Sequence, residues 1–385
     1  LITRVTMPAR VNILGNPTDG NEGDFYTISG AVNIYGGAVI EPSERLTFRY
    51  VNGPGMSAVR KCIEVPVLDE IYDWHHDGYA VFVATLRGLI TFHEPMRQLL
   101  EQHPVRMSLW TKVPKQSGLG GSSVLVLALL NALRAHYGID CRMLHDYAIA
   151  ELTQRIEELE MGVTCGFSDR YVPQLGGLAY IDYRDKLEHR PMGEEPLATY
   201  ERLDAFVAPL TFIVGFSGVS RNSGGVHSVM RDRYLVDWER AQNGSHGPSA
   251  GPSAFTSSIL DRFRAIGETA RQGKVCLLRG NLDEFGALMN ENHTLIDGIM
   301  RDCGFEWGAG KANNTLIEAA SEAGALGAKL SGAGGGGSVL VLPRPGEADH
   351  VLEAVRDVAR CQGMFRAKFF TVQIVKRGPR VKVEA

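Results

Sequence analysis

At 385 residues the chain exceeds the commonest single-domain size, and its 44% hydrophobic and 22% charged residues suit a globular enzyme with a sizeable core. With 40 Lys and Arg against 44 Asp and Glu, the net charge of −4 excludes a basic footprint for nucleic acid or a polybasic membrane patch. No apolar run approaches the roughly 18 residues that cross a bilayer, LITRVTMPARVNIL lacks the apolar centre of a signal peptide, and the scattered cysteines form no C-x-x-C pair; the expectation is a cytoplasmic protein with reduced thiols and no zinc cluster.

Strand-like alternation covers Val5–Leu14, followed by a polar turn over Gly15–Gly30 and further strands at Ala31–Ile40 and Arg45–Val51. Tyr79–His93 has helical length and pattern, and Val105–Val113 alternates again. Ser122–Tyr137 is apolar nearly all round, as a helix buried on most sides would be. Met143–Met161 repeats Ile149, Leu152, Ile156 and Leu159 at helical spacing. A strand follows at Leu178–Asp182, and the charged stretch Tyr183–Leu203 reads as a domain junction, dividing the chain into 1–200 and 201–385. The second half opens with strand Thr211–Phe216 and helix Val226–Arg240; Asn243–Ser253 is a Gly/Ser/Pro surface loop. Helices at Phe255–Gln272, Asn281–Ile299 and Lys311–Ala323 precede strand Ser338–Leu342, helix Gly346–Gln362 and strand Phe370–Lys376. No fixed-period repeat is visible, and the fold class is mixed α+β.

Three segments carry chemistry. In Val113–Ser123, VPKQSGLGGSS, glycines 118, 120 and 121 let the backbone turn closely, and Ser122 and Ser123 open the helix that follows. Free N–H groups and the positive helix end there suit a phosphate chain, and the serine hydroxyls suit Mg²⁺; an ordinary strand–turn–helix connection with a serine cap has the same composition. The loop has neither the lysine of a Walker loop nor dinucleotide glycine spacing, which disfavours a dehydrogenase. In KLSGAGGGGS, glycine fills every position from 332 to 337 except Ala333, immediately before an apolar strand, which favours a close-approach loop over a flexible linker. In MPARVNILGNPTDG, Arg10 is a charge within an apolar stretch, and Asn16, Thr18 and Asp19 can hydrogen-bond a polyol; a solvent-facing Arg and a plain Asn/Pro/Asp turn are the bland alternative.

Together, PARVNILGNPTD, PKQSGLGGSSVLVLALLNAL and KLSGAGGGGSVLVL resemble, in order, the three signature motifs of the GHMP kinases. The resemblance implies an N-terminal domain like ribosomal protein S5 domain 2, a C-terminal α+β domain, and ATP and an acceptor bound between them. It implies ATP phosphates along Pro114, Ser117, Gly118, Leu119, Gly120, Gly121, Ser122 and Ser123. It implies Mg²⁺ on Ser122 and a glutamate of the next helix, taken as Glu158 with Glu157 and Glu160 as rivals. It further implies Asp169 facing the acceptor hydroxyl, with Arg10 stabilising charge on the transferring group. Acceptor-binding candidates are Asn16, Asp19, Arg170, Arg221, Gly332 and Gly334, with Arg231 and His227 as further partners for a carboxylate.

Within the family, LGNPTD and FSGVSRNSGGVHSVMRDRY are most similar to glucuronokinase, which implies a uronate 1-phosphate as product. The other two motifs lean equally towards heptose and fucose kinases. Galactokinases carry an acidic–His pair where Asn16–Pro17 stand, and mevalonate-type enzymes carry Lys at Arg10. The expected partner is a small sugar or uronic acid, in a monomer or homodimer. A non-catalytic sugar- and ATP-binding regulator is the alternative of a different class.

Overall fold

Polar-apolar alternation along Ile2–Leu14 (β1) gives way after Thr6 to residues buried on both faces, which suits a strand carrying helices on its sheet. The computed structural model describes residues 1–384 apart from 22, 24, 57, 74–77, 116, 185, 187–191, 193, 195, 196, 220–222, 243–257 and 333–336. The loop expected at Asn243–Ser253 lies outside the described residues.

After β1 come Tyr26–Pro42 (β2), Leu46–Val51 (β3) and Val59–Val65 (β4), then helices Ala80–Phe92 (α1) and Pro95–Gln102 (α2). Val105–Thr111 (β5) leads through the first glycine loop into Gly121–Tyr137 (α3). Asp146–Arg155 (α4) runs on as a π-helical turn at Ile156–Glu160, followed by Ser168–Leu175 (α5), Leu178–Asp182 (β6) and Thr199–Arg202 (β7). The remainder holds Thr211–Phe216 (β8), Ser223–Gln242 (α6), Ile259–Leu278 (α7), Leu282–Asp302 (α8) and Lys311–Glu322 (α9). It ends with Gly327–Leu330 (β9), Ser338–Leu342 (β10), Ala348–Cys361 (α10), Lys368–Gln373 (β11) and Arg380–Glu384 (β12).

Among the described residues the strands form a sheet of 8, with path β12-β1-β2-β5-β3-β4 and β6 and β7 paired on from β2, and a sheet of 4, ordered β11-β8-β10-β9. All pairings are antiparallel except β3 with β5. A bridge between Val32 and Ile374 connects β2 to the end of β11. Two features cross the expected division at residue 200: β7 straddles it, and β12 returns from the far end of the chain to pair with β1.

Helix α3 explains how the first glycine loop is held. Every side chain from Ser123 to Leu133 is buried, because the helix lies against β1, β2, α1, α4 and α5. Its two polar exceptions are satisfied: Ser123 by Glu157, and Asn131 by Leu127 O and Gln174. Gly120 and Gly138 bound the helix in left-handed conformation, at φ 73 and 66°. A helix so fixed presents its N-terminus as a rigid edge.

Candidate active site

Arg10 and Asn12 stand two residues apart on β1 and so share a face of the strand. Arg10 donates through Nε to Asp169 Oδ1 at 2.6 Å, pairs through Nη2 with Asp169 Oδ2, and donates through Nη1 to the Gly118 carbonyl at 2.6 Å. Asn12 Nδ2 adds a hydrogen bond to Asp169 Oδ1 at 3.2 Å. This bidentate fork fixes the carboxylate in plane. Burial alone would raise the pKa of Asp169, but the Arg10 and Arg170 guanidiniums reverse that and hold it below the usual carboxylate value. The Arg10 side chain is 3% exposed, whereas that of Asp169 is 24% exposed and faces a cleft of about 770 Å³.

Asp169 occupies the first turn of α5, an element the sequence pattern did not predict. The helix begins there because Asp19 Oδ2 accepts from both Phe167 N and Ser168 N, each at 2.8 Å, capping it from the other side of the site. Asp19 therefore has a structural task while still lining the cleft.

The two glycine loops meet backbone to backbone. A Cβ on Gly118 would lie 2.9 Å from the Ser331 carbonyl oxygen, and one on Gly332 would lie 3.0 Å from Gly118 Cα. Gly118 also has φ +69°, so glycine is required there on two counts. Pro114, Ser117, Gly118, Gly120, Gly121, Ser122 and Ser123 line the cleft; Leu119 does not, its side chain being buried in the core beneath the loop. Gly332 lines the cleft, and Gly334 and Arg221 lie outside the described residues.

The glutamate beside Ser122 is Glu157, which corrects the expectation of Glu158. Ser122 Oγ donates to Glu157 Oε1 and Ser123 Oγ to Oε2 at 2.8 Å. Glu158 points elsewhere, paired with Gln154 and 3.8 Å from Arg231 Nη1. Arg170, expected as an acceptor ligand, lines the cleft but has its donors engaged. It is fully buried, donates through Nε to Glu157 Oε2 at 2.7 Å and through Nη1 to Gly166 O at 2.6 Å, and is engaged in holding the glutamate. The oxygen donors of Ser122, Ser123 and Glu157 suit a hard cation, so these residues fit Mg²⁺.

Beyond Asp169 a recess continues the cleft, lined by Pro17, Asn21, Gly166, His227 and Arg231. Burial pulls the His227 imidazole below its usual 6.5 against the opposing pull of Asp169 and Asp19. Asn16 lines the cleft with its Oδ1 accepting from Lys329 Nζ at 2.8 Å. At the opposite end the walls are Tyr50, Val51, Arg60, Lys61, Val81 and Trp110, none of which the sequence pattern singled out. Two residues the sequence reading did not single out had a signal: Asn12 in its i, i+2 relation to Arg10, and Lys329, the first residue of the third motif, as a charge between apolar Ala328 and Leu330.

A family model described as the GHMP kinases N terminal domain matches residues 82–177, and one described as GHMP kinases C terminal matches 274–361. The chain belongs to the GHMP kinase family. The first match spans the phosphate-type loop, Glu157 and Asp169; the second spans Lys329 and Gly332. Membership makes the protein an ATP-dependent phosphotransferase. Glucuronokinase 1 of Arabidopsis thaliana is 26% identical over 382 residues, covering 96% of this chain and 91% of its own. Mevalonate kinase of Pyrococcus furiosus is 27% identical over 258 residues, covering 66% of this chain and 63% of its own. The fold is that of Lactococcus lactis galactokinase in its galactose complex, with a TM-score of 0.73, 19% identity and coverage of 98% and 95%. No helix among the described residues is long and apolar enough to cross a membrane.

Proposed function

We propose that this GHMP kinase transfers the γ-phosphoryl group of ATP to a hydroxyl of a sugar, the anomeric one, with glucuronate as the first candidate. The observation that carries the reading is the Arg10–Asp169 pair at the cleft floor, joined through Gly118 O to the loop at the N-terminus of α3. A non-catalytic sugar-binding regulator has no need of this assembly. The triphosphate would lie along residues 117–123, where backbone N–H groups and the helix end favour anions. The aromatic and apolar walls at Tyr50, Val81 and Trp110 suit a flat base. Ser122 and Glu157 would hold Mg²⁺, which would supply charge neutralisation on the phosphates.

The acceptor oxygen attacks the γ-phosphorus as the bond to the β–γ bridging oxygen breaks and ADP leaves. A loose transition state of this kind needs little help from a strong base. That matches Asp169, whose lowered pKa makes it a poor proton acceptor and a good anchor for the hydroxyl. The proton then leaves late, to a phosphoryl oxygen and on to solvent. Arg10 stabilises the charge gathering on the transferring group.

A uronate reading is supported by Arg231 and His227 in the recess, where a carboxylate would find a cation and a hydrogen-bond partner, and by the likeness to a plant glucuronokinase along nearly the whole chain. The 3.8 Å pairing of Arg231 with Glu158 favours a second reading, a neutral sugar such as a heptose or fucose, because it offsets the cation. ADP release measured over D-glucuronate, D-galacturonate, D-galactose, L-fucose and a heptose, with the product assigned by phosphorus NMR, separates them. The uronate reading expects a 1-phosphate of glucuronate and a roughly 10–100-fold loss of glucuronate kcat/KM in Arg231→Met. Preference for a neutral sugar, or an unchanged Arg231→Met enzyme, would sink it.

A further inference from the structure

Lys329 is a fully buried lysine in the third motif to which the transfer step assigns no task. It stands on β9 of the smaller sheet and reaches across to β1 and the turn that follows it. Its Nζ donates to Leu330 O at 2.7 Å, Asn16 Oδ1 at 2.8 Å and, at a longer 3.4 Å, to Asn12 O. These partners are neutral oxygens, and Nζ is the donor to each of them. The Asn16 amide therefore turns its oxygen to Lys329 and its Nδ2 away from it. Asn16 itself lines the cleft on the acceptor side, near Asp19 and Asp169. The main chain of Asn16 is held separately, its carbonyl accepting from Asn292 Nδ2 at 3.3 Å, so the lysine acts on the side chain.

We propose that Lys329 is a positioning residue for the acceptor: by fixing the sense of the Asn16 amide it makes the cleft present an N–H donor at that point. The group bound there is an acceptor oxygen with a free lone pair, a sugar hydroxyl or a carboxylate. Without the lysine the amide is free to rotate, and half of its orientations offer the acceptor a repelling oxygen. The inference rests on the kinase reading and deepens it, since it concerns acceptor recognition and leaves the nucleotide untouched.

The test compares wild type with Lys329→Met and Lys329→Arg, using ADP release with D-glucuronate and D-galactose and varying ATP separately. Lys329→Met is expected to raise the KM of the acceptor about tenfold with the KM of ATP changed less than about twofold; Lys329→Arg, which keeps the donors, recovers part of the loss. Equal acceptor KM values in wild type and Lys329→Met, or a matching rise in the KM of ATP, overturn the proposal. If Lys329→Met does not fold, Lys329→Leu, which likewise carries no donor, is read in the same way. A second measurement needs no turnover. The side-chain amide signal of Asn16, assigned in a nitrogen-15 spectrum by its loss in Asn16→Asp, should move in the Lys329 variant; an unmoved signal overturns the proposal. Wild type that phosphorylates no sugar sinks the kinase reading instead, and the amide signal still decides the lysine contact.

Discussion

In the proposed reaction Asp169 anchors the acceptor hydroxyl, and its partners define what it can do. Asp169→Asn keeps the shape but loses the ionised anchor for the hydroxyl, so kcat should fall about 10²-fold while the KM of ATP stays nearly constant in steady-state assays. Arg170 predicts a different phenotype. Its side chain and that of Glu157 are 2% and 1% exposed, so Arg170→Met would leave a buried carboxylate without its counter-charge. A loss of about 3–5 kcal/mol in denaturant unfolding is expected, against a negligible change if the pair were a surface bridge. Arg10, Ser122 and Asp169 were legible in the sequence because their motifs resemble those of a known family. Glu157 was legible only as a rival of Glu158 and Glu160, because helical phase does not choose among neighbouring glutamates where the backbone widens into a π-helical turn at Ile156–Glu160.

At the scale of elements, the contact between glycine loops makes a sharper prediction than glycine content does. Gly118 and Gly138 both have left-handed φ, 69 and 66°, but a Cβ on Gly118 meets the Ser331 carbonyl whereas one on Gly138 meets open space. Gly138→Ala should cost only the backbone strain, about 1–2 kcal/mol in thermal or chemical unfolding, with kinetics unchanged. Gly118→Ala should cost more and also raise the KM of ATP, because the two loops must part. Equal effects from the two substitutions would contradict the packing. Long amphipathic or apolar segments such as α1 and α3 were readable because many side chains repeat one period. Strands β4, β9 and β12 were not: β4 and β12 are exposed along most of their length, and β9 has only 4 residues, so neither alternation nor length marks them. Helix α5 was hidden because its cap, Asp19, lies far away in the chain.

The whole molecule is tied across its two sheets close to the cleft, and Lys329 is one of the ties. Burial first, and the nearby Arg10 charge second, lower its pKa from 10.5 to about 7. The other titratable group facing it, His293 on α8, is itself pulled by burial to about 4 and is neutral at that pH. Between about 7 and 10.5 the unfolded chain holds a proton that the folded chain has lost, so stability rises with pH over this window. Unfolding measured from pH 7 to 9 should shift in favour of wild type relative to Lys329→Met; parallel curves would contradict the assignment. The return of β12 to β1 could not be read from the sequence, since the pairing joins the two ends of the chain and no local pattern records it. The cleft that results from this closure is best interrogated by a crystal structure with a non-hydrolysable ATP analogue and Mg²⁺. The triphosphate is expected along residues 117–123, with the cation between Ser122 and Glu157 and the terminal phosphoryl group facing Arg10 and Asp169. A nucleotide bound elsewhere, or a cation on Glu158, would contradict the assignment of this cleft.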